Sequence, residues 1–222
     1  MATWYFEPVS INQVIKLLER EYGPCRRHPN EDPVDVLIET ILSQNTSDAN
    51  SGRAFACLKS SFDNWEAVAS APARGIAQAI KCGGLSQIKA TRIKQVLQQI
   101  ETEEGRITLG SLKSRTMTEA EEYLRGLPGV GPKTASCVLL FSLGKPSLPV
   151  DTHIFRVSRR LGLIGPKIPI DKAADLLRKQ VPPSRVYQFH IHMIEHGRRV
   201  CHARGPSCSR CALRGICPSS LC

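Results

Sequence analysis

Leu127-Pro128-Gly129-Val130-Gly131-Pro132-Lys133-Thr134 joins two segments of helical periodicity, and its reading decides what kind of helical protein this is. Gly129 and Gly131 allow positive φ and let backbone approach a ligand closely. Pro132 suits the first position of a following helix, where its missing N–H costs nothing. The N–H groups at such a helix start, together with its dipole, suit a phosphate. As a bare helix–turn–helix connection the segment would be unremarkable. Set against a formal net charge of +10 in 222 residues, Gly129, Val130 and Gly131 become a candidate clamp for a nucleic-acid backbone, which carries no sequence information.

Two side chains beside this segment can carry chemistry. Lys133 falls in the first turn of the following helix, where the dipole opposes a cation. A neutral amine there is a nucleophile able to form a Schiff base with a sugar aldehyde. An exposed or phosphate-contacting lysine is the bland alternative. Asp151 follows Leu148-Pro149-Val150 and precedes Thr152-His153-Ile154-Phe155-Arg156-Val157. It is placed to cap that helix, and a helix N-terminus also keeps a carboxylate ionised, ready to stabilise positive charge developing on a sugar.

Further along, Cys201, Cys208, Cys211 and Cys217 are spaced C-x6-C-x2-C-x5-C. Local folding alone can bring four such thiolates round one metal centre. Zinc sites usually show two short chelating pairs, whereas here only Cys208 and Cys211 form one. Four thiolates equally ligate an iron–sulfur cluster, and Pro218 after the last cysteine fits a C-P ending. Spacing alone therefore leaves both metals open and leans modestly to iron–sulfur. Arg198, Arg199, Arg204, Arg210 and Arg214 flank the cysteines, so the loop reads as a basic, anion-binding surface with Arg204 at its centre. His190, His192 and His196 invite a metal reading too, but no carboxylate pattern completes a site, and packing or hydrogen bonding is the better expectation.

The rest of the chain sets the frame. Hydrophobic residues make up 41% and charged residues 23%, which excludes a disordered chain. Met1-Ala2-Thr3-Trp4-Tyr5-Phe6 lacks a basic n-region and a long apolar run, so no signal peptide is expected, and no segment reads as membrane-spanning. Of nine cysteines, the five outside the cluster (Cys25, Cys57, Cys82, Cys137 and Cys222) are scattered, which suits a reducing interior over a disulfide scaffold. Helix signals dominate. Ser10-Ile11-Asn12-Gln13 and Thr118-Glu119-Ala120-Glu121 read as capping boxes, Asp32-Pro33 as a helix start, and Thr46 or Ser47 and then Asn64 as further caps. A long helix starting at Ser86 carries Ile88, Ile93, Val96 and Ile100 as its apolar stripe, and later helices are expected near 132–143, 152–162, 171–180 and 184–199. No stretch alternates with period two and no fixed-period repeat occurs, so the fold is expected to be all-α.

In combination, the glycine hairpin with Lys133, the segment Val150-Asp151-Thr152-His153 and the C-x6-C-x2-C-x5-C loop, entered through His196-Gly197-Arg198-Arg199-Val200-Cys201, closely resemble endonuclease III. That is the helix–hairpin–helix family of DNA glycosylases and abasic-site lyases. The likeness runs from about residue 10 to 218. It implies two helical domains flanking a DNA cleft: a helical barrel with the hairpin at 33–145, and a discontinuous iron–sulfur domain at 1–32 and 146–222. It implies a [4Fe–4S] cluster on Cys201, Cys208, Cys211 and Cys217, with Lys133 as Schiff-base nucleophile and Asp151 as its carboxylate. Relatives of adenine-glycosylase type have another residue where this chain has Lys133, which argues for strand cleavage as well as base removal. It also implies DNA contacts by His153 and by Leu85, which aligns with a residue that wedges into the duplex, unless that leucine is simply core.

The chain departs from the family at two places. Pro132 stands where the family often has a basic residue. In Leu42-Ser43-Gln44-Asn45-Thr46-Ser47-Asp48, Gln44 and Asn45 compete for the position of the glutamine that fills the gap left by a flipped base. The expected protein is an intracellular, cytoplasmic or nucleoid monomer acting on double-stranded DNA with a damaged base or abasic site, and removing oxidised pyrimidines by default. A uracil or thymine mismatch glycosylase, or a non-catalytic DNA-binding module, are the rivals.

Overall fold

The computed structural model describes residues 9–25 and 32–220; Met1–Phe6 and Cys222 lie outside them. Among the described residues there are eleven α-helices, short 3₁₀ turns and one π turn, with no strand. No described helix is long and apolar enough to cross a membrane. The chain separates into two compact units, Pro29–Lys145 and a discontinuous one formed by Met1–His28 with Pro146–Cys222.

The continuous unit contains α2 (Pro33–Ser43), α3 (Asp48–Ser61), α4 (Trp65–Ser70), α5 (Ala73–Ala79), α6 (Ser86–Glu104), α7 (Met117–Gly126) and α8 (Pro132–Cys137). Helix α2 is its centre, because Val34, Val36, Leu37, Ile38, Ile41 and Leu42 are all buried and cover most of its circumference. They join Leu58, Ile76, Ile80, Ile93, Leu97, Ile100 and Leu124 in one apolar core. Local chemistry sets the helix starts. Asp32 Oδ1 accepts from the Val34 and Asp35 N–H groups, Ser47 accepts from Asn50, and Asn64 accepts from Ala67.

Several expectations shift. The capping box before α7 is Thr116 with Glu119, not Thr118 with Glu121. Ser10 precedes the first helix without a side-chain cap. Helix α5 is an element the periodicity did not reveal. The helix expected to 143 is α-helical only to Cys137 and continues as a π turn, Val138–Ser142.

The discontinuous unit pairs α1 (Ile11–Tyr22) with α11 (Val186–Arg199), and α9 (Thr152–Arg160) with both α11 and α10 (Ile170–Arg178). Ile11, Val14, Ile15 and Leu18 give α1 one apolar face at the helical period. Beyond α11 the chain to residue 220 has only two 3₁₀ turns, Cys208–Arg210 and Arg214–Ile216.

Candidate active site and cysteine cavity

In the continuous unit the hairpin is closed by the Val130 N–H, which donates to the Leu127 carbonyl at 3.1 Å. Leu127 and Val130 are buried and anchor the turn, while Gly129, Gly131, Pro132 and Lys133 are exposed. Gly129 has φ 70, a conformation that favours glycine. A Cβ there would also collide with the side chain of Arg92, which lies across the turn. Gly131, by contrast, has φ −89 and ψ 176, an extended conformation open to any residue. The expectation of positive φ thus holds for Gly129 and fails for Gly131. Lys133 stands in the first turn of α8, with buried Thr134 next to it.

The Gln44–Asn45 ambiguity takes a definite form. Arg92 donates to Gln44 Oε1 at 2.7 Å, and Gln44 Nε2 reaches Thr134 Oγ1 at 3.5 Å. The Gln44 carboxamide is thereby engaged inside the unit, between α6 and α8. Asn45 is exposed and left-handed, with φ 54. Leu85 is left-handed as well, with φ 50 and ψ 35, and 52% exposed, so it is not core. Ile88, placed in the apolar stripe by its period, is 58% exposed. Its neighbour Lys89 takes the inward position instead, at 2% exposure. Burial holds the Lys89 ammonium below its ordinary pKa, and its Nζ donates to the carbonyls of Leu42 at 2.6 Å and Gly83 at 2.9 Å. Nothing in the sequence pattern singled out Lys89 or Arg92.

In the discontinuous unit, Asp151 caps α9, its Oδ1 accepting from the Ile154 N–H at 2.8 Å. The approach to it is fixed by buried His190, whose Nδ1–H donates to the Pro149 carbonyl at 3.0 Å. His153 packs its Cβ against α11, where a Cβ on Gly197 would lie 2.9 Å away, so only glycine fits at 197. Arg156, a permanent donor, reaches His153 Nδ1 at 3.1 Å, which puts the ring proton on Nε2. Arg156 also donates to the carbonyls of Gly197 and Cys201.

Cys201, Cys208, Cys211 and Cys217 are unpaired and line one cavity of about 350 Å³. Burial first, then the neighbouring cysteines, pushes the Cys211 and Cys217 thiols up, so the cavity needs a cationic centre to hold thiolates. Among the described residues no group of three or more His, Cys, Asp or Glu side chains converges as ligands of a single metal ion. Four thiols lining one cavity are a donor set that fits an iron–sulfur cluster. Around them, Arg160 Nη1 donates to Cys201 Sγ at 3.1 Å and pins the loop through the carbonyls of His202 and Ala203.

His196, 1% exposed, lies 3.4 Å through Nε2 from Cys211 Sγ and 2.9 Å through Nδ1 from the Tyr22 hydroxyl. Burial lowers the His196 pKa to about 4 and, as the largest cause, pushes the Tyr22 phenol up to about 12. With Cys211 as a ligating thiolate, which can only accept, the neutral ring donates from Nε2 to sulfur and accepts the Tyr22 proton at Nδ1. His196 is therefore a hydrogen-bonding group beside the cavity. The loop arginines divide. Arg210 donates to the Arg199 carbonyl at the end of α11, Arg199 pairs with Glu195, and Arg204 is exposed.

Residues 38–183 match the model of the HhH-GPD superfamily base excision DNA repair proteins. An endonuclease III of Thermotoga maritima is 35% identical over 86% of this chain and 85% of its own length. The chain belongs to the endonuclease III family. A candidate DNA glycosylase of Arabidopsis thaliana is 38% identical over 76% of this chain, but the match spans only 57% of that protein. Among solved structures, a trapped endonuclease III–DNA covalent intermediate matches with a TM-score of 0.80 at 26% identity, over 95% of both chains.

Proposed function

We propose that this endonuclease III family member is a bifunctional DNA glycosylase and abasic-site lyase acting on damaged bases, by default oxidised pyrimidines, in duplex DNA. The observation that carries the reading is Lys133, exposed in the first turn of α8 directly after the hairpin. Its neutral amine attacks C1′ of the damaged nucleotide, and the C1′–N bond breaks with its electron pair leaving on the base. The ionised Asp151 stabilises the positive charge that develops on the sugar. The amine loses its proton as the ring opens to an imine. Loss of a C2′ proton then expels the 3′ phosphate oxygen by β-elimination, and water hydrolyses the imine to return the free lysine. Gly129, Val130 and Gly131 hold phosphate, and Arg204 and His153 add contacts to the DNA. Leu85 wedges into the stack, and Asn45, with Gln44 withdrawn to Arg92, fills the gap left by the flipped base. The four cysteines would hold a [4Fe–4S] cluster, which when bound supplies a structural cross-link for their loop.

Borohydride trapping on a duplex with an abasic site tests this. Wild-type protein should give a covalent adduct at Lys133. Lys133→Ala should lose adduct and strand cleavage while keeping affinity for damaged DNA, and Asp151→Asn should lower turnover by about 10²-fold or more. A normal adduct in Lys133→Ala would overturn the assignment. A panel of oxidised pyrimidines and of uracil or thymine opposite guanine fixes the base class.

A further inference from the structure

Among the described residues, only two non-glycine residues have positive φ, Asn45 and Leu85. Both are exposed; asparagine visits this region readily, but a leucine there persists only where its surroundings over-determine it. The carbonyls of Leu42 and Gly83 lie just before them in the chain, and both accept from the same ammonium, that of Lys89. The Leu42 carbonyl belongs to the last turn of α2, where helix carbonyls lack intrahelical partners. The Gly83 carbonyl belongs to a 3₁₀ turn wedged against α3, where a Cβ on Gly83 would lie 2.9 Å from Ala54 Cβ. A lysine is almost never fully buried unless its charge is satisfied. Here the binary pattern of α6 is inverted to place it: Ile88 faces out and Lys89 faces in.

We propose that Lys89 is a positioning residue for lesion recognition, a single buried ammonium that fixes the two segments projecting Asn45 and Leu85 in one register. The ammonium holds the backbone on the near side of each left-handed residue, so both side chains are presented together and without rearrangement when DNA binds. An apolar residue at 89 would fill the same space but leave the two carbonyls without that donor, and each segment would be free to relax on its own. This inference rests on the reading of Asn45 and Leu85 as the residues that enter the duplex.

The test compares affinity for a duplex carrying a tetrahydrofuran abasic analogue opposite 2-aminopurine with affinity for the undamaged duplex, in wild-type and Lys89→Met protein. Wild-type protein should prefer the analogue and raise the 2-aminopurine fluorescence as that base is unstacked. Lys89→Met should lose about tenfold of the preference and most of the fluorescence rise, with affinity for undamaged duplex within about twofold, because phosphate contacts are untouched. In a Leu85→Gly background, where no left-handed side chain has to be held, Lys89→Met should cost markedly less selectivity. Unchanged selectivity in Lys89→Met, or fully additive losses in the double variant, would overturn the proposal. If Lys89→Met does not fold, Lys89→Gln, whose amide cannot reach both carbonyls, is read by the same ratio. Wild-type protein that neither prefers the analogue nor forms the borohydride adduct would instead overturn the glycosylase reading itself.

Discussion

The two units differ in what they bury beside their apolar residues. The continuous unit is organised round one apolar core, with α2 buried on most sides and α6 contributing Ile93, Val96, Leu97 and Ile100. The discontinuous unit buries His190, His192 and His196, and runs hydrogen bonds from Tyr22 through His196 to Cys211 and from Arg160 to Cys201. After α11 its described residues form no element longer than a 3₁₀ turn. Apolar burial needs no ligand. A cysteine loop with little secondary structure of its own gains its order from what the thiolates bind. Both units pack apolar residues, but in the discontinuous unit the proposed cluster would add coordination chemistry that the continuous unit lacks, so the cysteine loop and the continuous unit should fail separately.

The largest effect should follow from removing a ligand. Cys211→Ser, which removes one ligand of the proposed cluster, should loosen the cysteine loop and the unit round it, since binding free energy at a structural metal site is folding free energy. Limited proteolysis with mass spectrometry should then show cleavage in residues 146–220 and protection of a fragment close to 32–145. Equal loss of both would break the comparison. Next comes Leu97→Ala, at a fully buried position of α6. It should destabilise the continuous unit by about 3 kcal/mol, read as a lower denaturant midpoint, with the visible absorbance of the proposed cluster retained at low denaturant. The smallest effect should be that of Tyr22→Phe, which removes the donor to His196 Nδ1 and costs about 1 kcal/mol. It should hasten bleaching of that absorbance and leave the midpoint of the continuous unit unchanged. A shift in the latter alone would show that the relay has no part in holding the cavity.

Much of the helical fold was legible because helix starts are local chemistry. Asp32, Ser47, Asn64 and Asp151 each cap where their side-chain chemistry predicts. The misses have physical reasons. Thr116 and Thr118 both stand three residues before a glutamate, so the capping-box pattern fits two registers, and only packing chooses the first. Helix α5 is seven residues long and begins after Pro72 without a side-chain cap, which leaves periodicity too little to register. At the candidate site the pattern rule inverts, with Ile88 exposed and Lys89 buried, and the choice between Gln44 and Asn45 depends on Arg92, far away in sequence. Sites where local rules and the fold disagree are where function most often lies.

The discontinuity of one unit also orders events during synthesis. Helix α1 leaves the ribosome well before its partner α11, which is not begun until Val186, and carries Ile11, Val14, Ile15 and Leu18 on one face. At about 5–20 residues per second, the interval from Tyr22 to Val186 is roughly ten to thirty seconds. During it the 32–145 segment is complete and able to close its own core, while α1 stays unpartnered. Cys201, Cys208, Cys211 and Cys217 follow α11. The nascent chain therefore carries α1 without its partner while the 32–145 segment is made, and the discontinuous unit can close only once α11 has followed.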